Sequence, residues 1–247
     1  MGAADGRRGR PGRHRDLVRP AARGRGRAVS APAPDAAGRL RADGYTVVPA
    51  VVTGPVLARL RSEADALVAA FEDGHRSDDF WHFTRDGAST PVLYRVHNLQ
   101  QQPGAPLAAG LFAAGPLHHL AETLLGRPAR ARVIAMIVKM PHVAAAVPWH
   151  RDRTDTRPGT AVNLSLFLDD SDTGNGCLEF VPSSHLLADD ADVDQVRTAG
   201  PVLPVSALAG DVAVHDVRTV HASRPNTSAR PRRSLVIEFV PADTESP

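Results

Sequence analysis

Apolar positions change their period partway along this chain. In the first half the clearest pattern is helical. Within TGPVLARLRSEADALVAAFEDG (53–74), Leu57, Leu60, Ala64, Leu67 and Phe71 recur at three- and four-residue intervals and share one face. Thr53 is placed to cap this helix, Pro55 suits its first turn, and Gly74 stops it. A second helical pattern covers 106–125 and ends before Gly126. GYTVVPAVV predicts a strand around 45–50 and PVLYRVHNL another over 91–99, while the polar stretch 75–90 reads as a loop. After Arg127 the period shortens: ARVIAMIVKM, TAVNLSLFLDD, GCLEFVP, DVAVHDV and RSLVIEFV are short β-type runs separated by turn residues. Helices first and strands afterwards predict an α+β protein, mainly β, whose C-terminal half is a sandwich or barrel.

Composition refines this picture at the ends. A chain of 247 residues, 43% hydrophobic, can bury a real core. No apolar run approaches the roughly 18 residues of a membrane span. The pI near 9.2 arises from residues 1–34, which hold nine arginines and two aspartates, so that 35–247 carry a net −5. That segment has no periodic apolar face and is expected to be a disordered tail, with 35–247 a single domain. Its arginines raise the question of nucleic acid, but nothing downstream resembles a nucleic-acid module. Cys177 is the only cysteine, which excludes a disulfide framework within one chain and fits a cytoplasmic protein.

The candidate chemistry centres on VPWHRDRTD (147–155). In a strand, residues i and i+2 share a face, so His150 and Asp152 are expected to present an imidazole and a carboxylate to one point. Two ligands rarely hold a redox metal, and a third is sought downstream, where GDVAVHDVRTVHASRPN offers His215 and His221. Two histidines and one carboxylate on one face of an octahedron form the site of non-haem Fe(II) oxygenases. His-x-Asp alone is weak, since a polar loop carries the same residues. A second element strengthens it: Arg230, Arg232 and Arg233 follow His221, and a 2-oxoacid co-substrate needs a planar, always-charged partner for its far carboxylate.

Taken in order, ADGYTVVPAVVTGPVLARLRSEADALVA, LYRVHNL, VIAMIVKMP, WHRD, LSLFLDDSDTGNGCLEFVPSSH and GDVAVHDVRTVHASRPNTSARPRRSLVIEF make the chain resemble the phytanoyl-CoA dioxygenase family over residues 36–241. These are Fe(II)- and 2-oxoglutarate-dependent oxygenases. The resemblance implies a double-stranded β-helix of the cupin type, a jelly roll with helices packed on one sheet. It implies that His150, Asp152 and His221 bind iron, leaving His215 outside the set. It further implies that Arg232 grips the far carboxylate of 2-oxoglutarate, that Ser223 adds a hydroxyl there, and that Lys139, the only lysine, stands at a recurring co-substrate position. Arg95 occupies a position where the family often contacts co-substrate or substrate, and Trp149 and Arg151 flank the entrance. Retention of Asp152 argues for oxygen chemistry rather than halogenation.

The expected activity is hydroxylation of a C–H in a small metabolite, with O₂ consumed and 2-oxoglutarate leaving as succinate and CO₂. Desaturation, epoxidation and ring closure use the same oxidant. The setting implied is bacterial secondary metabolism, such as antibiotic biosynthesis. The competing expectation is a cupin-like metal-binding protein or isomerase without redox chemistry, for which Arg232 would have no use.

Overall fold

The computed structural model describes residues 35–84, 89–142 and 145–243. The expected tail, 1–34, lies outside the described residues. Helix α1 (Ala36–Asp43) leads into strand β1 (Tyr45–Val48), and α2 (Gly54–Glu72) follows where the apolar stripe placed it. Next come β2 (Phe80–Thr84), β3 (Pro91–Val96), α3 (Pro106–Ala113) and α4 (Pro116–Leu125). The remaining elements are β4 (Ala129–Lys139), β5 (Val147–His150), β6 (Val162–Phe167), β7 (Leu178–Phe180), α5 (Val193–Ala199), β8 (Leu203–Val205), β9 (Val212–Asp216), β10 (His221–Ser223) and β11 (Arg232–Pro241).

These strands form two sheets, antiparallel at every pairing: one of seven strands, ordered β1-β9-β6-β11-β4-β3-β2, and one of four, ordered β5-β10-β7-β8. Strand alternation divides the larger sheet into two unlike faces. Ile134 and Met136 of β4, Leu164 of β6, Val214 of β9 and Ile237 of β11 are buried in one cluster with Leu60 of α2 and Leu117 of α4. The intervening positions, including Ser165, His215, Arg232 and Ser234, line a cavity toward the smaller sheet. One face therefore supplies the core, at roughly 1.5–3 kcal/mol for each large apolar side chain buried. The other supplies the chemistry.

Four expectations are corrected. The helix over 106–125 is two helices, because Gly115 takes φ +117° and Pro116 begins a new first turn. The loop over 75–90 contains β2, an edge strand that pairs with β3 opposite Trp81↔Arg95, then shifts register before His82. Only Phe80 is buried in β2, so its solvated neighbours hide the period-2 signal. Helix α5 was not expected either; it buries no residue and therefore has no apolar stripe to read. Finally, β5 ends at His150, so Asp152 does not share a strand with it.

Candidate metal centre

The site lies between the two sheets. His150, the last residue of β5, stands directly opposite His221, the first of β10, with ring centroids 4.3 Å apart. Asp152 reaches the same point by a different device: the chain leaves the strand and the Asp152 N–H donates to the Val217 carbonyl at 2.9 Å. Together the three side chains offer ligand atoms that all lie within 4.8 Å of one another.

Both histidines are held in the same way. Nδ1 of His150 is 2.8 Å from the Pro148 carbonyl, and Nδ1 of His221 is 2.9 Å from the Thr219 carbonyl. A carbonyl only accepts, so each Nδ1 carries a proton, and in the neutral ring Nε2 is the nitrogen left with a lone pair for a metal. Those Nε2 atoms stand 3.4 Å and 3.7 Å from the Asp152 carboxylate. Burial drives the His221 imidazole down to about 3, which keeps it neutral. Burial alone would raise the Asp152 carboxyl, but the neighbouring imidazoles of His221, His150 and His215 outweigh it and hold the group well below 3.8. For His150 the order reverses: burial lowers it, and the Asp152 hydrogen bond and charge raise it above 6.5. Two imidazoles and one ionised carboxylate suit a divalent transition metal and leave half an octahedron for other ligands.

His215, the rival third histidine, occupies a different station. Its Nε2 lies 3.0 Å from Asp152 Oδ2, so it bonds to the carboxylate instead of standing beside it. Asn163 joins it, donating from Nδ2 to the same oxygen at 2.7 Å. Asn163 was missed in the sequence, although Asn163 and Ser165 are polar at alternate positions inside the otherwise apolar VNLSLF of β6.

Arg232 lies in the same cavity of about 90 Å³ as the three candidate ligands, together with Ser223, Arg95 and Ser165. Its guanidinium is buried, reaches Ser234 Oγ at 3.3 Å, and leaves Nε without a hydrogen bond. Among the described residues no carboxylate forms an ion pair with it. Burial lowers its pKa to about 10. A desolvated, unpaired guanidinium costs free energy unless an anion completes it. The cavity therefore fits a small carboxylate.

The other candidates divide. Arg95 lines both this cavity and a neighbouring cleft of about 570 Å³ walled by Trp81, Phe83 and Tyr94. Its Nε is also buried and unpartnered. Lys139 is not free for a co-substrate: its Nζ donates to the carbonyls of Arg224 (2.6 Å), Ala145 (3.0 Å) and Ser223 (3.5 Å), and so fastens the backbone around β10. Burial, then the charge of Arg232, pushes it down to about 7. Arg151 points away from the cavities and donates to the carbonyls of Ser184, Ala188 and Asp189, because the residue between His150 and Asp152 faces outward. Trp149 is half-buried and lines neither cavity.

Known proteins resemble this chain in sequence and in fold. A family model described as Phytanoyl-CoA dioxygenase (PhyH) matches residues 40–234. The crystal structure of AviO1 from Streptomyces viridochromogenes Tue57 superposes with a TM-score of 0.81 at 47% identity, covering 86% of this chain and 96% of that one. The L-proline trans-4-hydroxylase of Streptomyces griseoviridis is 27% identical over 246 residues, covering 85% of this chain and 87% of its own. The epimerase SnoN, solved in complex with Fe3+, alpha ketoglutarate and nogalamycin RO, superposes with a TM-score of 0.70 at 27% identity, covering 84% and 82% of the two chains.

Proposed function

This chain belongs to the phytanoyl-CoA dioxygenase family, and from that premise we propose that His150, Asp152 and His221 hold its Fe(II) and that Arg232 anchors its 2-oxoglutarate. The protein is a non-haem Fe(II)- and 2-oxoglutarate-dependent dioxygenase that oxidises a C–H of a small metabolite in secondary metabolism. The two faced sheets are read as the double-stranded β-helix of such enzymes, formed by residues 35–247 as one domain of a cytoplasmic protein. Among the described residues no helix is long and apolar enough to cross a membrane.

One observation carries the site assignment: three convergent ligand atoms share a cavity with a buried guanidinium that has no carboxylate partner among the described residues. When bound, Fe(II) with 2-oxoglutarate and O₂ supplies the oxidising chemistry, 2-oxoglutarate leaving as succinate and CO₂. The chain's own contribution is placement. His150 and His221 present fixed Nε2 lone pairs, because their Nδ1 protons are committed to the Pro148 and Thr219 carbonyls. Arg232 neutralises the far carboxylate of 2-oxoglutarate and fixes its orientation, with Ser223 beside it. Arg95, shared by the two cavities, stands between co-substrate and substrate. The cleft of about 570 Å³ is of the size that takes drug-sized ligands and is the proposed substrate site. Its apolar walls place one C–H near the metal and keep water away. A metal-binding protein without redox chemistry has no use for the Arg232 cation, so that reading is not favoured.

Metal analysis after anaerobic loading with Fe(II) tests the ligand set. The wild type should retain one ion per chain, and Asp152→Ala should retain only a trace while its far-ultraviolet circular dichroism is unchanged. Full iron content and turnover in Asp152→Ala would reject the assignment.

A further inference from the structure

Asp152 has two oxygens, and the structure treats them differently. Oδ2 accepts from Asn163 Nδ2 at 2.7 Å and from His215 Nε2 at 3.0 Å, with His221 Nε2 further off at 3.7 Å, whereas Oδ1 is approached by His150 Nε2 at 3.4 Å. A carboxylate oxygen has two lone-pair sites, so Oδ2 is saturated. The donors are delivered as a pair: Asn163 on β6 and His215 on β9 are directly opposite each other in the ladder and share its inner face. Both are buried, at 6% and 2% exposure, so water does not compete for the contact. Among the described residues the His215 ring makes no other hydrogen bond, and its Nδ1 is buried without a partner. A buried orphan nitrogen asks for an explanation. The Asp152 contact supplies one, since an acceptor-only oxygen demands the tautomer that puts the proton on Nε2 and leaves Nδ1 bare.

We propose that Asn163 and His215 are positioning residues that hold Asp152 as a one-oxygen ligand, with Oδ1 turned to the metal and Oδ2 to themselves. This rests on the metal-site reading above. A carboxylate free to rotate can close on the ion with both oxygens and occupy a further coordination position. Pinned through Oδ2, it leaves three positions for a chelating co-substrate and O₂. His215 thus belongs to the site without being a ligand.

The test is Co(II) binding to metal-free full-length protein, followed by competition titration and by the visible spectrum of the bound ion. His215→Phe and Asn163→Leu should weaken Co(II) binding about 10- to 100-fold, the usual consequence of losing a hydrogen bond to a ligand, and should shift the visible bands. His215→Gln keeps an N–H donor of similar reach and should bind within about threefold of wild type with its spectrum, a rescue that packing alone does not explain. Two results would overturn the proposal: wild-type affinity and spectrum in both His215→Phe and Asn163→Leu, or loss of metal in His215→Gln as complete as in His221→Ala, which would make His215 a ligand. Retention of Co(II) by Asp152→Ala would instead sink the metal-site reading itself, and this inference with it.

Discussion

Arg232 and Arg233 are neighbours on β11, yet they meet opposite worlds. Arg233 faces the helices and is engaged at all three side-chain nitrogens: Nε and Nη2 grip both oxygens of Asp169 at 2.8 and 2.9 Å, and Nη1 reaches Asp65 of α2. Hydrogen bonding to Asp169 raises its pKa against the opposing effect of burial. Arg232 faces the smaller sheet, is more deeply buried, and has no such partner among the described residues. Burial lowers it to about 10. One arginine is built to hold the fold together, and the other is kept waiting for a carboxylate that the described residues do not provide. The same division runs along the strand: Leu235 and Ile237 complete the helix-side core, while Ser234 and Val236 line the cavity.

Replacing side chains on the two faces should therefore have different consequences. Ile237 is fully buried among helix-side residues, and Ile237→Ala should destabilise the protein by about 3 kcal/mol in urea unfolding. Val236→Ala, on the half-buried cavity side, should cost roughly 1 kcal/mol or less. Equal losses would mean that the faces are not divided as described. Arg233→Met breaks the Asp169 and Asp65 contacts and should lower stability by about 2 kcal/mol, with metal content unchanged.

A smaller effect concerns Lys139, the cation beside Arg232. Its folded value of about 7 lies below the ordinary 10.5, so the charged ammonium disfavours the fold while both states are protonated. That penalty is relieved as pH rises from about 7 toward 10.5. The melting temperature of the wild type should therefore gain on that of Lys139→Met across this window. A difference independent of pH would show that the lysine is not desolvated as the structure places it.

Much of this was legible in the chain because the signals are local. The stripe from Leu57 to Phe71 made α2 readable, and the valine-rich runs made β4, β6, β9 and β11 readable. The break at Gly115–Pro116 was written in turn residues, but an apolar pattern that continues across it masked the stop. His150 and His221 were found by spacing and resemblance. The route of Asp152 was not, since its position depends on a carbonyl at Val217, distant in sequence. The commitments of Lys139 and Arg151 to backbone carbonyls were equally invisible, because such acceptors belong to no particular residue type. Asn163 and His215 required knowing which strands lie side by side. Local periodicity reveals elements; pairing reveals which side chains meet.

The contrast between the two arginines can be measured directly. Fe(II)-loaded protein would be titrated anaerobically with 2-oxoglutarate, following the visible charge-transfer band of the chelate in wild type, Arg232→Met and Arg233→Met. Loss of a charge-assisted pair worth roughly 3 kcal/mol predicts about 100-fold weaker binding in Arg232→Met. Arg233→Met should stay within about threefold of wild type, its side chain being spent on Asp169 and Asp65. Unchanged affinity in Arg232→Met, or an equal loss in both variants, would contradict the assignment of Arg232 to the co-substrate.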